Sequence, residues 1–367
     1  MKRSAGTILA RLLGTGLLYL MPFSLIIPEL TTTQLTAQTQ DKTWGITAVE
    51  GITVGHHTMS DRPTGCTVIL TGEGAIGGVD VRGGAPGTVE TDLLDPVNSV
   101  KKVHGIVLSG GSAFGLSVRD GVMSHLNEKG IGYRMGSITV PIVAGAVLYD
   151  LSIGDKPDIH PDADCGYQAA SRATTKTPAE GNVGAGSGAT VGKSRGLQFA
   201  MKGGIGTAST TLPNGLTVGA IVAVNSVGDI IDPSSGAVIA GTRTADGLGL
   251  ADARILMREG LPSNDPQSGT NTTIGVVATN AVLTKAQVTK VGQMAHDGIA
   301  RAIYPAHTTG DGDTVFSLAT GTFDGKANVS IIGTLAADMT VEAILRAVLA
   351  ATSIEGIPSV SDINIDR

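Results

Sequence analysis

Short apolar runs of alternating pattern, separated by glycine turns, fill the chain after about residue 45. Residues 66–70 and 77–81 read as strands, and 105–108 as a third leading through a Gly-rich turn into a helix over 112–128. Residues 169–175 read as the end of another helix, 215–224 as the clearest strand of a mostly β middle, and 248–259 as a helix. Beyond residue 272 the pattern sharpens. A strand over 273–279 precedes a helix opening with Thr284-Lys-Ala-Gln287, a capping-box signature. Val288, Val291, Ala295, Ile299 and Ala302 recur at helical spacing and predict its buried face. Strands over 314–320 and 329–334 follow. A last helix turns Val341, Ile344, Leu345 and Val348 inward. The interleaving predicts two β layers flanked by helices, with one core shared by everything on both sides of residue 272.

The junction at that residue holds the candidate chemistry. A polar, turn-rich loop, Ser263-Asn-Asp-Pro-Gln-Ser-Gly-Thr270, runs into Asn271-Thr272-Thr273 and then the apolar strand Ile274-Gly-Val-Val-Ala278. An exposed loop is where a backbone can be cut without unravelling a core. A threonine freed at its amine carries a hydroxyl nucleophile and its own base. Asp311-Gly312-Asp313 follows, with two carboxylates pointing the same way on an extended segment. Taken alone, Asn-Thr is a common pair and Asp-Gly-Asp reads as a turn or weak cation site. The whole arrangement is what points to a self-cutting precursor.

Two other motifs fall short. Gly188-Ala-Thr-Val-Gly192-Lys193-Ser194 places three residues where a phosphate-binding loop needs four, and Ser187 holds the position of its first glycine. Lys193 nonetheless stands beside flexible glycines, well placed to reach a site. Gly110-Gly-Ser112-Ala-Phe114 has the strand-to-helix setting of a nucleophile elbow, but Phe114 replaces the glycine that makes room for the turn. Ser112 therefore reads as a helix N-cap.

Composition narrows the classes. Of 367 residues 52 are glycine, 41% are apolar and 16% charged. Without a Gly-X-Y period or a long repeat, this describes close-packed backbone and excludes fibres and solenoids. Lys2, Arg3 and Arg11 precede an apolar run over 12–27, then a polar stretch with Leu35-Thr36-Ala37, the layout of a secretory leader cleaved near residue 37; a retained anchor is the alternative. Its removal takes three positive charges and one negative (Glu29), moving the net charge from -6 to -8. No basic footprint for nucleic acid exists. Export permits a disulfide, but Cys66 and Cys165 are widely separated and read as buried free thiols. The seven histidines lack metal-ligand spacing, so neither a metal nor a cofactor is expected.

From about Gly45 onward the chain resembles a known family of self-processing aminopeptidases and amidases with an N-terminal nucleophile. This family includes the L-aminopeptidase/D-esterase DmpA, the β-peptidyl aminopeptidases and the nylon-oligomer hydrolase NylC. The resemblance is carried by Val54-Gly-His-His-Thr58, Asp80-Val-Arg-Gly-Gly-Ala-Pro-Gly87, Leu108-Ser-Gly-Gly-Ser-Ala-Phe-Gly-Leu116, Gly184-Ala-Gly-Ser-Gly188, Val222-Ala-Val-Asn225 and Val276-Val-Ala-Thr-Asn280. It implies a four-layer αββα sandwich and a precursor cut before its nucleophile. That cut would give a larger fragment over 38–271 and a smaller one beginning at Thr272. Threonine after asparagine resembles the nylon-hydrolase branch, which also matches Lys193, Asn225, Asp311 and Asp313 to active-site positions. The aminopeptidases carry an acid after their Pro-Val-Val run to hold a substrate ammonium. Here Gly145 and Val147 stand in that stretch, and Tyr149 is the candidate phenol.

The implied reaction is amide hydrolysis through a threonyl ester, endo-acting because the ammonium anchor is missing. The autocut would proceed by an N-to-O acyl shift at Asn271. In the mature enzyme the Thr272 amine serves as base, Asn225 as oxyanion donor, and Lys193 and Tyr149 steady charge. The order of duties between Asp311 and Asp313 is open. An exported aminopeptidase and a non-enzymatic binding protein are the competing expectations. Relatives imply a homo-oligomer of paired fragments.

Overall fold

A computed structural model of the chain describes residues 44–260 and 269–363. The expected leader and the loop residues Ser263–Ser268 lie outside the described residues. Nine strands make the main sheet: β1 (Thr53–Thr58), β2 (Gly65–Val81), β3 (Thr88–Val89), β4 (Lys102–Ser109), β5 (Val143–Val147), β6 (Gly204–Thr211), β7 (Thr217–Asn225), β8 (Thr272–Thr279) and β9 (Thr314–Ala319). Their order is β6-β7-β8-β9-β2-β4-β5-β3, with β1 paired to β2. Neighbours run antiparallel except β8 with β9 and β4 with β5. The helices are α1 (Val118–Glu128), α2 (Ala163–Ser171), α3 (Ala253–Glu259), α4 (Lys285–Ala302) and α5 (Val329–Leu349).

Alternation along the strands sorts side chains into three apolar layers. Val222, Val224 and Val277 face α4 and α5, meeting Val291, Ile299, Ile344 and Val348. Ile221, Ile274, Val276 and Phe316 face the other way and pack on Ile69, Ile106 and Ala144 from β2, β4 and β5. Val68 and Val107 on the outer side of that second half meet Val122, Leu126 and Ala169 of α1 and α2. Three apolar seams between four layers are the αββα sandwich. The 17-residue β2 joins its two β layers: residues 66–70 pair with β4, residues 76–81 with β9, and the register slips between Leu70 and Ala75. The runs 66–70 and 77–81, expected as two strands, are thus the ends of one.

The capping box at Thr284 forms as its sequence predicts, each side chain reaching the other's backbone. Residues 329–334 are not a strand; they are the first turns of α5, with Asn328 accepting from Ile331 N–H as N-cap. Burial there follows a helical period, Ile332, Ala336, Thr340, Ile344 and Val348, so packing overrides the β-branched bias of Val329, Ile331 and Ile332. Ser112 is not an N-cap either. It opens a 3-10 turn (Ser112–Ser117) ahead of α1 at φ 53°, behind Gly111 at φ 85°. The helix expected over 248–259 shortens to α3, capped by Asp252.

Cys66 and Cys165 form a disulfide, contrary to the free thiols expected. β2 and α2 bring their Cα atoms to 6.3 Å across the α1–α2 seam, a proximity that 99 residues of separation conceal. No helix among the described residues is long and apolar enough to cross a membrane.

Candidate active site

Register brings the site together. β7 and β8 pair so that Asn225 stands opposite Thr272. β8 runs parallel to β9 with Ile274 opposite Thr314, and a further bridge joins Asn271 to Asp311. The end of one strand and the starts of two others therefore meet at one end of the sheet. The motif after Asp80 lies across them: Arg82 and Gly83 N–H donate to the Asp313 carbonyl, and Ala85 N–H to that of Asp311. A Cβ on Gly83 would stand 2.3 Å from Asp313 N, so only glycine permits this approach.

At the centre, the Thr272 hydroxyl donates to the carbonyl oxygen of Asn271, and Gly312 N–H donates to the same oxygen at 2.9 Å. Thr272 and Asn271 are both buried. Lys193 Nζ donates to the Asn225 main-chain oxygen and to its Oδ1, each at 3.0 Å, and to the Thr270 carbonyl at 3.4 Å. Asn225 Oδ1 also accepts from Thr190 N–H at 3.0 Å, while its Nδ2 donates to the Tyr149 carbonyl at 2.9 Å and reaches Thr270 O at 3.5 Å. The backbone donor on the Asn271 carbonyl is thus Gly312 N–H, beside the Thr272 hydroxyl, and the Asn225 amide serves its neighbours.

The two aspartates have different surroundings. Asp313 accepts from Thr273 N–H at Oδ1 (2.7 Å), and from His307 N–H (3.0 Å) and Nδ1 (2.8 Å) at Oδ2. Asp311 Oδ2 accepts from Thr308 N–H and hydroxyl at 2.8 and 2.6 Å. Its Oδ1 is buried without a hydrogen-bond partner among the described residues. Burial, then the charge of Asp313, raises the Asp311 pKa above the ordinary carboxylate range. Burial pulls the Lys193 ammonium down to about 7, against the opposing pull of Asp311. Two groups whose environments move them toward neutrality thus flank one threonine.

A cavity of about 260 Å³ opens beside the junction, lined by Tyr149, Ser152, Ile153, Thr190, Lys193, Gly196, Leu197, Thr270 and Asn271. None of these lining residues is a carboxylate. Gly145 does not line it: that glycine sits within β5, where an added Cβ would meet the Val107 backbone at 2.9 Å. The stretch that reaches the cavity is Tyr149, beyond the strand. No group of three or more potential metal ligands exists among the described residues.

Thr272, Asn271, Asn225, Lys193, Asp311, Asp313 and Tyr149 are thus gathered at one place. Sequence reasoning missed His307, Thr308 and Gly312. The run His307-Thr308 just before Asp311 was the available signal, but only the turn shows those side chains folding back onto the carboxylates.

Residues 45–360 match the peptidase family S58. The chain belongs to that family. It is 45% identical over 343 residues to an uncharacterized aminopeptidase of Mycobacterium leprae, covering 86% of this chain and 92% of the relative. It is 31% identical over 311 residues to a 6-aminohexanoate-oligomer endohydrolase of Kocuria sp., covering 81% and 84%. The nylon-hydrolase branch, expected as the nearer, is therefore the more distant of the two. Among solved structures, a Burkholderia sp. beta-aminopeptidase superposes at TM-score 0.64 with 25% identity, over 84% of this chain and 87% of that one. The L-aminopeptidase D-Ala-esterase/amidase from Ochrobactrum anthropi, a variant among the Ntn hydrolase fold, gives 0.62 at 20% identity over 84% of this chain and 86% of that one. This S58 member is a hydrolase of amide bonds.

Proposed function

We propose that this S58 hydrolase cuts itself between Asn271 and Thr272, and that the freed threonine attacks substrate amides to form an acyl-enzyme. The observation that carries the reading is the Thr272 hydroxyl resting on the carbonyl group it must attack, while Gly312 N–H donates to the same oxygen. That amide is placed to hold the negative charge developing there, a contribution of about a hundredfold or more in comparable sites. Attack gives an ester at Oγ and frees the Thr272 amine; water then releases the Asn271 carboxylate. Asp311, with its raised pKa and unpartnered Oδ1, exchanges the proton. In the mature enzyme the Thr272 amine, of intrinsic pKa about 8, takes the hydroxyl proton. Asn225 and Lys193, which hold the Thr270 carbonyl in the uncut chain, hold the substrate's acyl side.

Among the described residues that line the cavity no side chain is a carboxylate, which supports action on internal amides, since a free N-terminal ammonium finds no acidic side chain among them. The aminopeptidase name of the mycobacterial relative favours the second reading, release of N-terminal residues. Export and assembly of paired fragments complete the proposal; the Cys66–Cys165 disulfide suits an oxidising compartment. Denaturing mass analysis of purified protein tests the cut: two fragments, the smaller beginning at Thr272, are expected, and one uncut polypeptide with full amidase activity sinks the proposal. Thr272→Ala should remain uncut and inactive. Matched peptides with free and acetylated N-termini separate the two substrate readings, and N-terminal sequencing of the exported protein tests the leader.

A further inference from the structure

We propose that His307 is a positioning residue for Thr272, acting through Asp313. This deepens the reading of Thr272 as nucleophile and rests on it. Both oxygens of Asp313 are committed: Oδ1 to Thr273 N–H, Oδ2 to His307 N–H and Nδ1. Thr273 N–H belongs to the amide immediately after Thr272, so the carboxylate pins the first peptide unit of β8, and with it the Cα whose side chain carries the hydroxyl. The imidazole in turn fixes the carboxylate plane. With the acceptor an oxygen at 2.8 Å, Nδ1 carries the hydrogen.

His307 is itself held firmly. Its φ of 56° is a left-handed conformation that a residue with a Cβ adopts at a cost. Its ring packs edge-on against buried His296, centroids 4.9 Å apart. His296 Nε2 is 2.9 Å from the Asp80 carbonyl oxygen, and burial lowers its pKa, so a neutral ring donates there. The brace thus runs from Asp80 through His296, His307 and Asp313 to Thr273. One result is a division of duties: Asp313 orients, while Asp311 keeps the oxygen without a partner.

The test separates the imidazole hydrogen bond from the backbone it sits on. His307→Gly tolerates the left-handed backbone but lacks the Nδ1 donor, whereas His307→Asn tolerates it nearly as well and supplies an amide N–H at the position of Nδ1. A hydrogen bond to a charged group predicts that His307→Gly slows self-cleavage and turnover by about tenfold to a hundredfold, with kcat rather than KM falling. His307→Asn should recover to within roughly threefold of wild type. Combined with Asp313→Asn, the glycine change should add little, because both act on one peptide unit. Wild-type rates in His307→Gly, or full additivity with Asp313→Asn, overturn the proposal. So does a folded His307→Asn working below about a tenth of the wild-type rate, which keeps the question decidable if the glycine variant does not fold. If the wild-type chain neither cuts itself nor hydrolyses amides, the Thr272 reading fails and takes this one with it. If wild type cuts and only the variants behave alike, His307 alone loses its role.

Discussion

Gly312→Ala perturbs the site without removing any reacting group. Its Cβ would stand 2.8 Å from Thr272 Oγ, 2.9 Å from the Ala85 carbonyl oxygen and 3.3 Å from Pro86 Cα. The two oxygen contacts lie roughly 0.5 Å inside ordinary van der Waals separation, and the Pro86 contact is only slightly tight. Ala85 cannot yield easily, because its own N–H is tied to the Asp311 carbonyl. The threonine hydroxyl is a single torsion from moving, so it gives way, and the Gly312 amide shifts with its Cα. A displacement of about half an ångström at both the proposed nucleophile and its proposed oxyanion donor should slow the proposed self-cleavage by about tenfold to a hundredfold. Overpacking of this kind costs about 1–3 kcal/mol of stability, leaving the fold intact. A denaturing gel sampled over hours after purification, or mass analysis of the fragments, gives the rate, and a melting curve confirms folding. A folded Gly312→Ala protein that cuts at the wild-type rate refutes the assigned geometry of hydroxyl, carbonyl and amide.

Thr272→Ser keeps the hydroxyl and should still yield two fragments; an uncut serine variant would show that the threonine methyl, not its oxygen, governs processing. Asp229 is buried and its pKa is pushed up to about 6, chiefly by loss of solvent. Its folded state therefore binds a proton more tightly than the unfolded state, and the protonated form's advantage is lost as pH rises through about 6. Relative to Asp229→Asn, wild type should lose about 2 kcal/mol between pH 4 and pH 7 in denaturant titrations; parallel pH profiles would refute the buried-acid account. The Cys66–Cys165 bridge closes a 99-residue separation, and Cys165→Ala should cost up to roughly 4–5 kcal/mol by the chain-entropy estimate. Unreduced wild-type protein that reacts fully with a thiol reagent after denaturation would show that no bridge forms.

Much of this protein is written locally. The capping box at Thr284, the alternation of β7 and β8 and the helical stripe of α4 are properties of short windows, set by hydrophobic period and terminal hydrogen bonds. The Asn271-Thr272 junction and the Asp311-Gly312-Asp313 pair are legible for the same reason. Residues 329–334 mislead because their β-branched side chains favour extended backbone in isolation. Close approach of α4 and α5 at Gly298 and Gly333 makes the helix the better burial. Tertiary structure alone decides which distant groups meet. The 99 residues between the two cysteines, the return of His307 onto Asp313 and the flat contact of Gly83 on the same segment leave no periodic trace in sequence. The sequence by itself determines the elements and the chemistry available at residue 272. Only the fold supplies the desolvation that lowers Lys193 and that, with the charge of Asp313, raises Asp311, because a pKa answers to surroundings that the chain assembles from far apart.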